Sequence, residues 1–261
     1  MSCFVGIEAI NVLVVGASQG IGLGFVRHLL GQDSPSESLS HCLGRVYATH
    51  RVITPELAAL SEQYLALSLI PIDSTDEAQI AQAVAHIQTQ IDKLHLVLYC
   101  AGVLHEGHIQ PEKSLQQIRS EHLQRYFAVN SIGAVLLAKH LLPLLKHEER
   151  SVFASISAKV GSIGDNQSGG WYGYRASKAA LNMFMRTLAI EYSRKSPQTL
   201  VVMLHPGTTD TRLSQPFQRA VPPHKLFSVA QTVTQLLAVI EGLQSEDSGQ
   251  FLSWDGSHLP W

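Results

Sequence analysis

The stretch INVLVVGASQGIGLGFVRHLL, residues 10–30, decides the fold of this chain. It begins with Ile10 to Val15, a continuous apolar run that is typical of a buried parallel strand. A glycine-rich turn follows, and apolar residues from Phe25 to Leu30 then recur at helical spacing. This order predicts a dinucleotide-binding motif, because the glycines let the backbone approach a pyrophosphate at the helix N-terminus. The alternative is a tight turn whose glycines only relieve steric strain. The turn consists of Gly16, Ala17, Ser18, Gln19, Gly20, Ile21 and Gly22.

A tyrosine and a lysine form the second informative pattern. Tyr174 and Lys178 are four residues apart in a helix-forming run, so their side chains share one helix face. A phenol titrates at about pH 10, and a neighbouring ammonium favours phenolate and lowers that pKa. The pair therefore predicts an acid/base device that moves a proton on or off a hydroxyl or carbonyl oxygen. The same spacing also arises by chance on amphipathic helices.

Strand and helix patterns alternate along the rest of the chain. This alternation predicts an α/β fold, with a parallel sheet covered by helices on both faces. No low-complexity linker divides the chain, so residues 1–261 are predicted to form a single domain. After the second strand, which ends near Arg51, the further predicted strands are Leu67–Ile72, Leu96–Tyr99, Val152–Ser155, Leu200–Leu204 and Phe251–Trp254.

Several helix boundaries can also be predicted. Thr54 and Ser228 are of the residue types that cap helix N-termini. The stretch from Leu115 to Lys146 is predicted to form one long helix that ends near Pro143. The polar insert from Gln32 to Leu43 is predicted to be a solvated surface loop.

Composition excludes several classes of function. A formal net charge of −2 provides no electrostatic footprint for nucleic acid. We find no apolar stretch of membrane-spanning length, and Met1 to Val5 lacks the basic region of a signal peptide. The cysteines Cys3, Cys42 and Cys100 are few, odd in number and widely spaced, which favours a reducing compartment over a disulfide framework. A cytoplasmic location is therefore expected.

Together these patterns resemble the short-chain dehydrogenase/reductase family, whose marks are the Gly-x-x-x-Gly-x-Gly turn and the Tyr-x-x-x-Lys pair. The resemblance covers almost the whole chain and implies a single-domain, Rossmann-like, doubly wound parallel sheet. Further matching motifs are Cys100-Ala101-Gly102, where the family usually has Asn-Asn-Ala-Gly, Val129-Asn130-Ser131, Ile156-Ser157 with Gly161, and His205-Pro206-Gly207 with Thr211. Three other runs resemble the C-factor-like and sniffer-type carbonyl reductase branch: Gly161-Ser162-Ile163, Gly169-Gly170-Trp171-Tyr172 and Trp254-Asp255-Gly256.

The end of the second strand bears on the choice of cofactor. Arg51 is placed where a dinucleotide enzyme meets the adenosine ribose, and no acid lies between Arg45 and Pro55. An acid there would hydrogen-bond a 2′-hydroxyl, whereas an arginine accommodates a 2′-phosphate, so NADP is expected rather than NAD. The alternative is that Arg51 only caps or solvates the strand end. Asp73 resembles the family's aspartate that meets the adenine ring, and its alternative role is that of a helix cap or turn residue.

The resemblance implies the remaining cofactor contacts. The Pro-Gly turn closes over nicotinamide, and the lysine holds the nicotinamide ribose. The expected cofactor-binding residues are Gly16, Ser18, Gln19, Gly20, Ile21, Gly22, Arg51, Asp73, Ala101, Gly102, Tyr174, Lys178, Pro206, Gly207 and Thr211.

The resemblance also implies a mechanism. Tyr174 protonates the substrate oxygen while a hydride from NADPH reaches the carbonyl carbon, and oxidation is the reverse. Lys178 lowers the pKa of the tyrosine, and Asn130 positions a water that links Lys178 to solvent. Tyr172 has no lysine four residues on and is expected to be a pocket wall or a core aromatic.

The serine that would hydrogen-bond the substrate carbonyl departs from the family pattern. Aligning Gly161 with the family's glycine places Ala158 at the usual position of that serine. Ser157 lies one residue earlier at a strand end, where a β-bulge would rotate it toward the substrate. Ser157 is therefore the expected catalytic serine, with Ser162 as the alternative.

Two further patterns invite a metal or partner interpretation. His105-Glu106-Gly107-His108 contains possible metal ligands, but no other ligand pattern lies near it, so a solvated or substrate-rim loop and no metal site are expected. Core packing explains most of the leucine stripe from Leu136 to Leu144. The resemblance implies a homodimer or homotetramer, formed by the long helix and the Tyr–Lys helix across a two-fold axis.

Three functions remain open at this point. The favoured one is an NADP-dependent carbonyl reductase or alcohol dehydrogenase that acts on a small carbonyl or hydroxyl substrate. The second is a C-factor-like nucleotide-binding regulatory protein with little turnover, which Ala158 allows. The third, an epimerase or dehydratase, is disfavoured because such relatives usually carry a larger C-terminal substrate region. The substrate pocket is expected from Val103–Ile109, Ser162–Trp171 and Thr208–Phe227, with Thr208–Ser228 as a mobile lid.

Overall fold

The computed structural model describes residues 4–32 and 42–261, and for Ala220 the backbone alone. Most of the predicted polar loop, residues 33–41, and the first three residues with Cys3 lie outside the described residues. The strands are β1 (Ile10–Val15), β2 (Leu43–His50), β3 (Leu67–Pro71), β4 (Leu96–Tyr99), β5 (Ser151–Ile156), β6 (Thr199–His205), β7 (Thr208–Thr209), β8 (Leu226–Phe227) and β9 (Phe251–Ser253).

Within the described ranges, seven strands pair in parallel as one sheet in the order β3-β2-β1-β4-β5-β6-β9. The chain winds from β1 outward to β3 and then returns to place β4 on the other side of β1. Parallel sheets of this kind bind ligands at the carboxyl ends of the strands, where the winding direction changes. The crevice between the carboxyl ends of β1 and β4 is therefore the expected place for a ligand.

Helices cover both faces of this sheet. They are α1 (Gly20–Leu29), α2 (Pro55–Gln63), α3 (Glu77–Gln88), α4 (Ser120–Phe127), α5 (Gly133–Leu145), α6 (Tyr172–Lys195) and α7 (Val229–Gly242). The first two and α7 pack in the hydrophobic core on one face, and α3, α5 and α6 pack in the core on the other. The predicted α/β, doubly wound, Rossmann-like fold with helices on both faces is confirmed.

Side-chain caps begin several of these helices. Thr54 Oγ1 accepts a hydrogen bond from Leu57 N at 3.4 Å, and Ser228 Oγ accepts one from Gln231 N at 3.1 Å. Both predicted caps are thus confirmed. Asp76 caps α3 in the same way. Such a cap satisfies an N–H group that lacks a partner within the helix and stabilises it by about 1 kcal/mol.

The predicted single helix from Leu115 to Lys146 is partly wrong. Leu115–Gln117 forms a short 3₁₀ turn, and the backbone is extended before α4 begins at Ser120. A π-helical turn, Ala128–Ile132, joins α4 to α5, which continues past Pro143 to Leu145. The wider turn buries Asn130 completely, and π-helical turns of this kind occur frequently at functional sites.

The continuous helix Ser120–Leu145 is long and apolar enough to cross a membrane by length and composition alone. The expectation that no stretch reaches this length was therefore wrong. In the structure, 56% of the most apolar window of this helix is buried inside the protein. Leu137, Leu141 and Leu144 all lie in the core beside the sheet, as expected for the leucine stripe.

Candidate active site

The glycine-rich turn forms one wall of the crevice at the carboxyl ends of β1 and β4. Gly16 has φ of +82°, and a Cβ there would lie 2.9 Å from Ala101 N, so a side chain would separate the two strand ends. A Cβ at Gly22 would collide with the carbonyl oxygen of Gly16. Helix α1 begins at Gly20 with no acidic residue in its first turn, so its free N–H groups favour an anion. The turn thus has the shape and charge of a phosphate cradle.

The rest of the turn is fixed to the loop that follows β2. Ser18 Oγ donates a hydrogen bond to Val52 O at 2.7 Å, and Thr54 Oγ1 donates one to Ser18 O at 3.1 Å. Gln19 is exposed, and Ile21 packs against the core. These contacts hold the end of β2 beside the cradle.

Tyr174 and Lys178 lie on one face of α6, as predicted. The tyrosine is 7% exposed and the lysine 3%, and Lys178 Nζ lies 5.9 Å from the centroid of the Tyr174 ring. Lys178 Nζ donates a hydrogen bond to Ile156 O at the end of β5, at 2.8 Å. A Cβ at Gly161 would lie 2.7 Å from Lys178 Cβ, so this glycine is required for the close approach. The pair is therefore held between α6 and the strand ends.

Burial dominates the acid/base properties of this pair. It raises the pKa of Tyr174 above its ordinary value of 10.0. It lowers the pKa of Lys178 to about 8, because an ammonium without water is disfavoured. The expected lowering of the tyrosine pKa by the lysine is thus not observed. Loss of hydration destabilises the buried phenolate, and this effect determines the direction of the shift.

Asn130 connects the π-helical turn to the loop after β4. Its Oδ1 accepts from Val103 N at 2.7 Å, and its Nδ2 donates to Val103 O at 2.9 Å and to Ser177 Oγ at 3.0 Å. A Cβ on Gly102 would lie 3.6 Å from Asn130 Oδ1 and 3.8 Å from Lys178 Nζ. The asparagine therefore shapes the loop beside the lysine. Its predicted role in holding a water stays a prediction.

The β-bulge expected at Ser157 is absent from the described strands. The register of β5 with β6 runs without a shift, and Ser157 N continues the ladder by donating to Leu204 O at 2.8 Å. Ser157 Oγ donates to Asn182 Oδ1 at 2.6 Å, in the protein interior. Ala158, instead, packs against the cluster that contains Tyr174. The serine position next to the tyrosine is thus occupied by a methyl group.

Ser162, the alternative catalytic serine, forms a hydrogen bond within its own turn. Ser162 is 2% exposed, and its Oγ accepts a hydrogen bond from Asp165 N at 3.2 Å. It stabilises the turn after the short 3₁₀ helix Lys159–Gly161. This contact supports a structural role for Ser162.

Aromatic rings from separate elements surround Tyr174. The ring centroid of Trp171 lies 6.2 Å from that of Tyr174, and that of Tyr126 lies 6.4 Å from it. Phe217, from the segment predicted to be a lid, lies 4.9 Å from Trp171 and 6.0 Å from His105. The site is therefore lined mainly by apolar and aromatic groups, which exclude water from the tyrosine.

Glu112 is a site residue that the sequence analysis missed. It is 1% exposed, and its Oε2 accepts from Gly173 N at 3.1 Å. Its main-chain oxygen accepts from the N–H of Trp171, a non-glycine residue with φ of +53°. An L-residue in that conformation costs about 1 kcal/mol, so these bonds offset strain directly before Tyr174. No local motif marks Glu112, because its partners lie about sixty residues away in the chain.

Arg51 directly follows β2 beside the cradle, as predicted, and it does more than solvate the strand end. Its guanidinium donates to Glu106 Oε1 at 2.6 Å, and Arg125 donates to Glu106 Oε2 at 3.0 Å. The two arginines hold the pKa of Glu106 below its usual range, against the opposing effect of burial. Asp73 accepts from Thr75 N and Oγ1, so it forms a turn and not a helix cap. Half of the Arg51 side chain, 53%, stays exposed.

The Pro206-Gly207 turn and Thr211 return the chain to the cradle. Gly207 has φ of +71°, and a Cβ there would strike the ring of Phe227. Thr211 Cγ2 lies 3.4 Å from the position of a Cβ on Gly20, so the predicted contact partners of a cofactor meet across the crevice. The predicted lid contains the β7–β8 pair and the 3₁₀ turns Gln215–Ala220 and Pro223–Lys225. Its mobility stays a prediction.

The histidine-rich loop spreads its side chains apart. His105 Nε2 lies 3.1 Å from Arg212 O, whereas His108 packs beside His122. In residues 4–32 and 42–261, no three His, Cys, Asp or Glu side chains converge in a way that would hold a metal ion. Tyr172 is 39% exposed, so the core-aromatic interpretation of this residue was wrong.

Known proteins resemble the chain along most of its length. A family model described as short chain dehydrogenase matches residues 10–221. The 1-hydroxy-2-glutathionyl-2-methyl-3-butene dehydrogenase of Rhodococcus sp. (strain AD45) is 29% identical over 252 residues, which cover 96% of this chain and 99% of that protein. The C-signal protein of Myxococcus xanthus is 33% identical over 139 residues, which cover 53% of this chain and 78% of that protein.

Solved structures of carbonyl reductases share the fold. The NADPH-bound carbonyl reductase from chicken fatty liver superposes with a TM-score of 0.82 at 29% identity, covering 97% of this chain and 100% of that chain. The carbonyl reductase Sniffer of D. melanogaster also superposes with a TM-score of 0.82, at 26% identity, covering 96% of this chain and 99% of that chain. The residues matched by the family model include the glycine-rich turn, Arg51, Asn130 and the Tyr174–Lys178 pair.

Proposed function

The chain belongs to the short chain dehydrogenase family and is an oxidoreductase, and on that premise we propose that it is an NADP-dependent carbonyl reductase. One observation carries the proposal: consecutive residues join the phosphate cradle to the acid/base pair. Ala101 lies against Gly16, and Gly102 lies beside Lys178 Nζ. A dinucleotide whose phosphates bind at the N-terminus of α1 would therefore extend past the carboxyl end of β4, and its other end would lie beside Tyr174.

NADP fits the residues present. The cradle at Gly16 and Gly20 suits the pyrophosphate, and the exposed Arg51 guanidinium suits the 2′-phosphate. Thr211 approaches Gly20 of the cradle, and Asp73 lies just beyond the carboxyl end of β3. The carbonyl reductase from chicken fatty liver is described as NADPH-bound, which supports the same cofactor here. When bound, the nicotinamide supplies a hydride to the carbonyl carbon.

The residues of this chain provide the proton and the environment. Tyr174 donates its phenolic proton to the substrate oxygen as the carbonyl becomes a hydroxyl. Burial raises the pKa of Tyr174, so the phenol is protonated at neutral pH, and the nearby ammonium of Lys178 favours the phenolate that forms when the proton leaves. Lys178 is held near by Ile156 O, where it can donate to ribose hydroxyls. Trp171 and Phe217 exclude water from the reacting carbonyl.

The test is turnover with purified protein. NADPH consumption is measured with a panel of aldehydes, ketones and quinones, and the alcohol product is identified by mass spectrometry. Reduction of at least one panel member that is lost in Tyr174→Phe supports the proposal. NADPH binding without any turnover across the panel contradicts it.

A regulatory role is the second candidate, because Ala158 occupies the serine position beside Tyr174. The similarity to the C-signal protein supports this alternative. Such a protein would bind NADPH through the same cradle and turn over slowly. The regulatory role would be favoured if the wild-type protein turned over NADPH very slowly and Ala158→Ser made turnover fast.

We propose a homodimer or homotetramer as the assembly. Met183 and Ile190, seven residues apart on α6, are 66% and 49% exposed, and Ile132 on the neighbouring helix is 40% exposed. Large apolar side chains on adjoining helices favour burial against a second copy. Light scattering decides the matter, since a monomeric mass at micromolar concentration contradicts the proposal.

A cytoplasmic location is a further proposal. The composition, with few cysteines and a small net charge, supports it. Cell fractionation with a detection tag tests it, and recovery of the protein outside the cytoplasmic fraction would contradict it.

A further inference from the structure

A second groove opens beside the lid, and the residues found to line it include none of the cofactor cradle. It has a volume of about 520 Å³ and lies between the loop after β4, the start of α4 and Phe217. Lys113, Arg119, His108 and His122 line it, together with glutamine amides. These groups donate hydrogen bonds, and the described lining residues include no carboxylate.

The cations of this groove form no ion pair with any residue in the described part of the chain. Among the residues that the structure describes, neither Lys113 nor Arg119 forms an ion pair, whereas Arg51, Arg125 and Lys139 all pair with carboxylates. The formal net charge of the chain is −2, so two unpaired cations in one groove do not follow from a general excess of basic residues. A concave surface lined by one sign of charge raises the local concentration of oppositely charged ligands.

Two aromatic side chains lie between the groove and Tyr174, the candidate catalytic residue. Phe217 lines the groove, its ring lies 4.9 Å from Trp171, and the Trp171 ring lies 6.2 Å from Tyr174. Phe217 therefore faces the groove on one side and the aromatic wall of the site on the other. A substrate that extends past Phe217 would reach both.

Resting on the proposed function, we propose that the substrate is an elongated carbonyl compound with an anionic group at its far end. The carbonyl lies at Tyr174, the apolar middle packs on Trp171 and Phe217, and the anion lies between Lys113 and Arg119. A guanidinium binds a carboxylate through two parallel hydrogen bonds, and an ammonium adds a point charge. The groove thus selects for the anionic end of the substrate, while the catalytic pair acts on the carbonyl.

The test uses two aldehydes that differ only at the far end. One is an aliphatic aldehyde with a terminal carboxylate, and the other is its methyl ester. The wild-type protein should prefer the carboxylate, and Lys113→Gln/Arg119→Gln should reduce kcat/KM for the carboxylate on the order of 10-fold. The ester should be almost unaffected, and added salt should reduce the preference of the wild type.

A matched control removes the same two charges elsewhere. Lys146→Gln/Arg194→Gln changes exposed residues before the amino-terminal ends of β5 and β6, at the end of the sheet opposite the site, and should leave the preference unchanged. Equal losses for acid and ester, or the same loss in the control, would overturn the inference while carbonyl reduction itself stands. If neither aldehyde turns over, turnover across the carbonyl panel decides the proposed function, and calorimetry with the corresponding hydroxy acid decides the inference. Binding that is lost in the groove variant supports it, and no binding to the wild type overturns it.

Discussion

Ser157 Oγ donates a hydrogen bond of 2.6 Å to Asn182 Oδ1, one helical turn beyond Lys178. Both side chains are buried, at 2% and 3% exposure. The serine nearest to the expected catalytic position therefore joins β5 to α6 and faces the interior. Ala158, the next residue, borders the site.

This arrangement predicts opposite results for two serine variants. Ser157→Ala should destabilise the protein by about 1–3 kcal/mol, because it leaves a buried amide oxygen without its donor. Ala158→Ser should raise kcat on the order of 10-fold, because a hydroxyl there adds a donor to the substrate oxygen. Urea unfolding and steady-state kinetics check both. A large loss of kcat in a folded Ser157→Ala variant would restore the catalytic role of that serine.

Tyr174→Phe removes only the hydroxyl and keeps the ring packing. Its kcat should fall on the order of 10²–10⁴-fold with NADPH affinity little changed, since a general acid is lost. Tyr172→Phe is the matched control on the same helix and should retain activity. Unchanged turnover in Tyr174→Phe would remove the enzymatic role of this tyrosine.

The lysine predicts a pH dependence of cofactor binding. Because burial lowers the pKa of Lys178 to about 8, its charge is lost as the pH rises through that value. NADPH affinity of the free protein, measured by fluorescence titration, should therefore decline above pH 8. Lys178→Arg should remove the decline, because a guanidinium stays charged. If the NADPH affinity of Lys178→Arg declined with the same midpoint pH, the decline would belong to another titrating group.

The Arg51–Glu106 pair predicts the preference between cofactors. Arg51→Ala should weaken NADPH binding about 10-fold and NADH binding little, because only NADPH has a 2′-phosphate. Glu106→Gln should tighten NADPH binding a few-fold, since it frees both arginines. Glu191→Gln, which breaks an exposed pair with Lys195, is the control. Equal losses for both cofactors in Arg51→Ala would show that the arginine has no role in the preference.

His205 predicts a contribution to acid sensitivity. Burial lowers its pKa from 6.5 to about 4, and its Nδ1 accepts a hydrogen bond from Lys159 N at 3.3 Å. His205 therefore binds a proton more readily in the unfolded chain than in the folded protein. The contribution of neutral His205 to the free energy of unfolding is present above pH 6.5 and is lost as the pH falls through about 4. His205→Asn should show a smaller loss of unfolding free energy across that range. The same change in His224→Asn, an exposed control, would contradict this assignment.

Much of the fold could be predicted because the signals are local. The apolar run Ile10–Val15, the caps Thr54 and Ser228, and the Tyr174–Lys178 spacing each depend on neighbours within a few residues. Short-range patterns of this kind report strand burial, helix starts and helix faces directly. The long helix was predicted less well, because nothing in the local pattern marks the π-helical turn that places Asn130.

The sequence by itself therefore determined the fold class, the position of the glycine-rich turn and the shared helix face of Tyr174 and Lys178. Only the tertiary structure decided which way Ser157 points, what Arg51 binds and how Glu112 supports the strained Trp171. These contacts join residues that lie 25, 55 and about sixty positions apart in the chain. Their partners are chosen by packing and by the loss of hydration in the folded protein, and no local spacing encodes either.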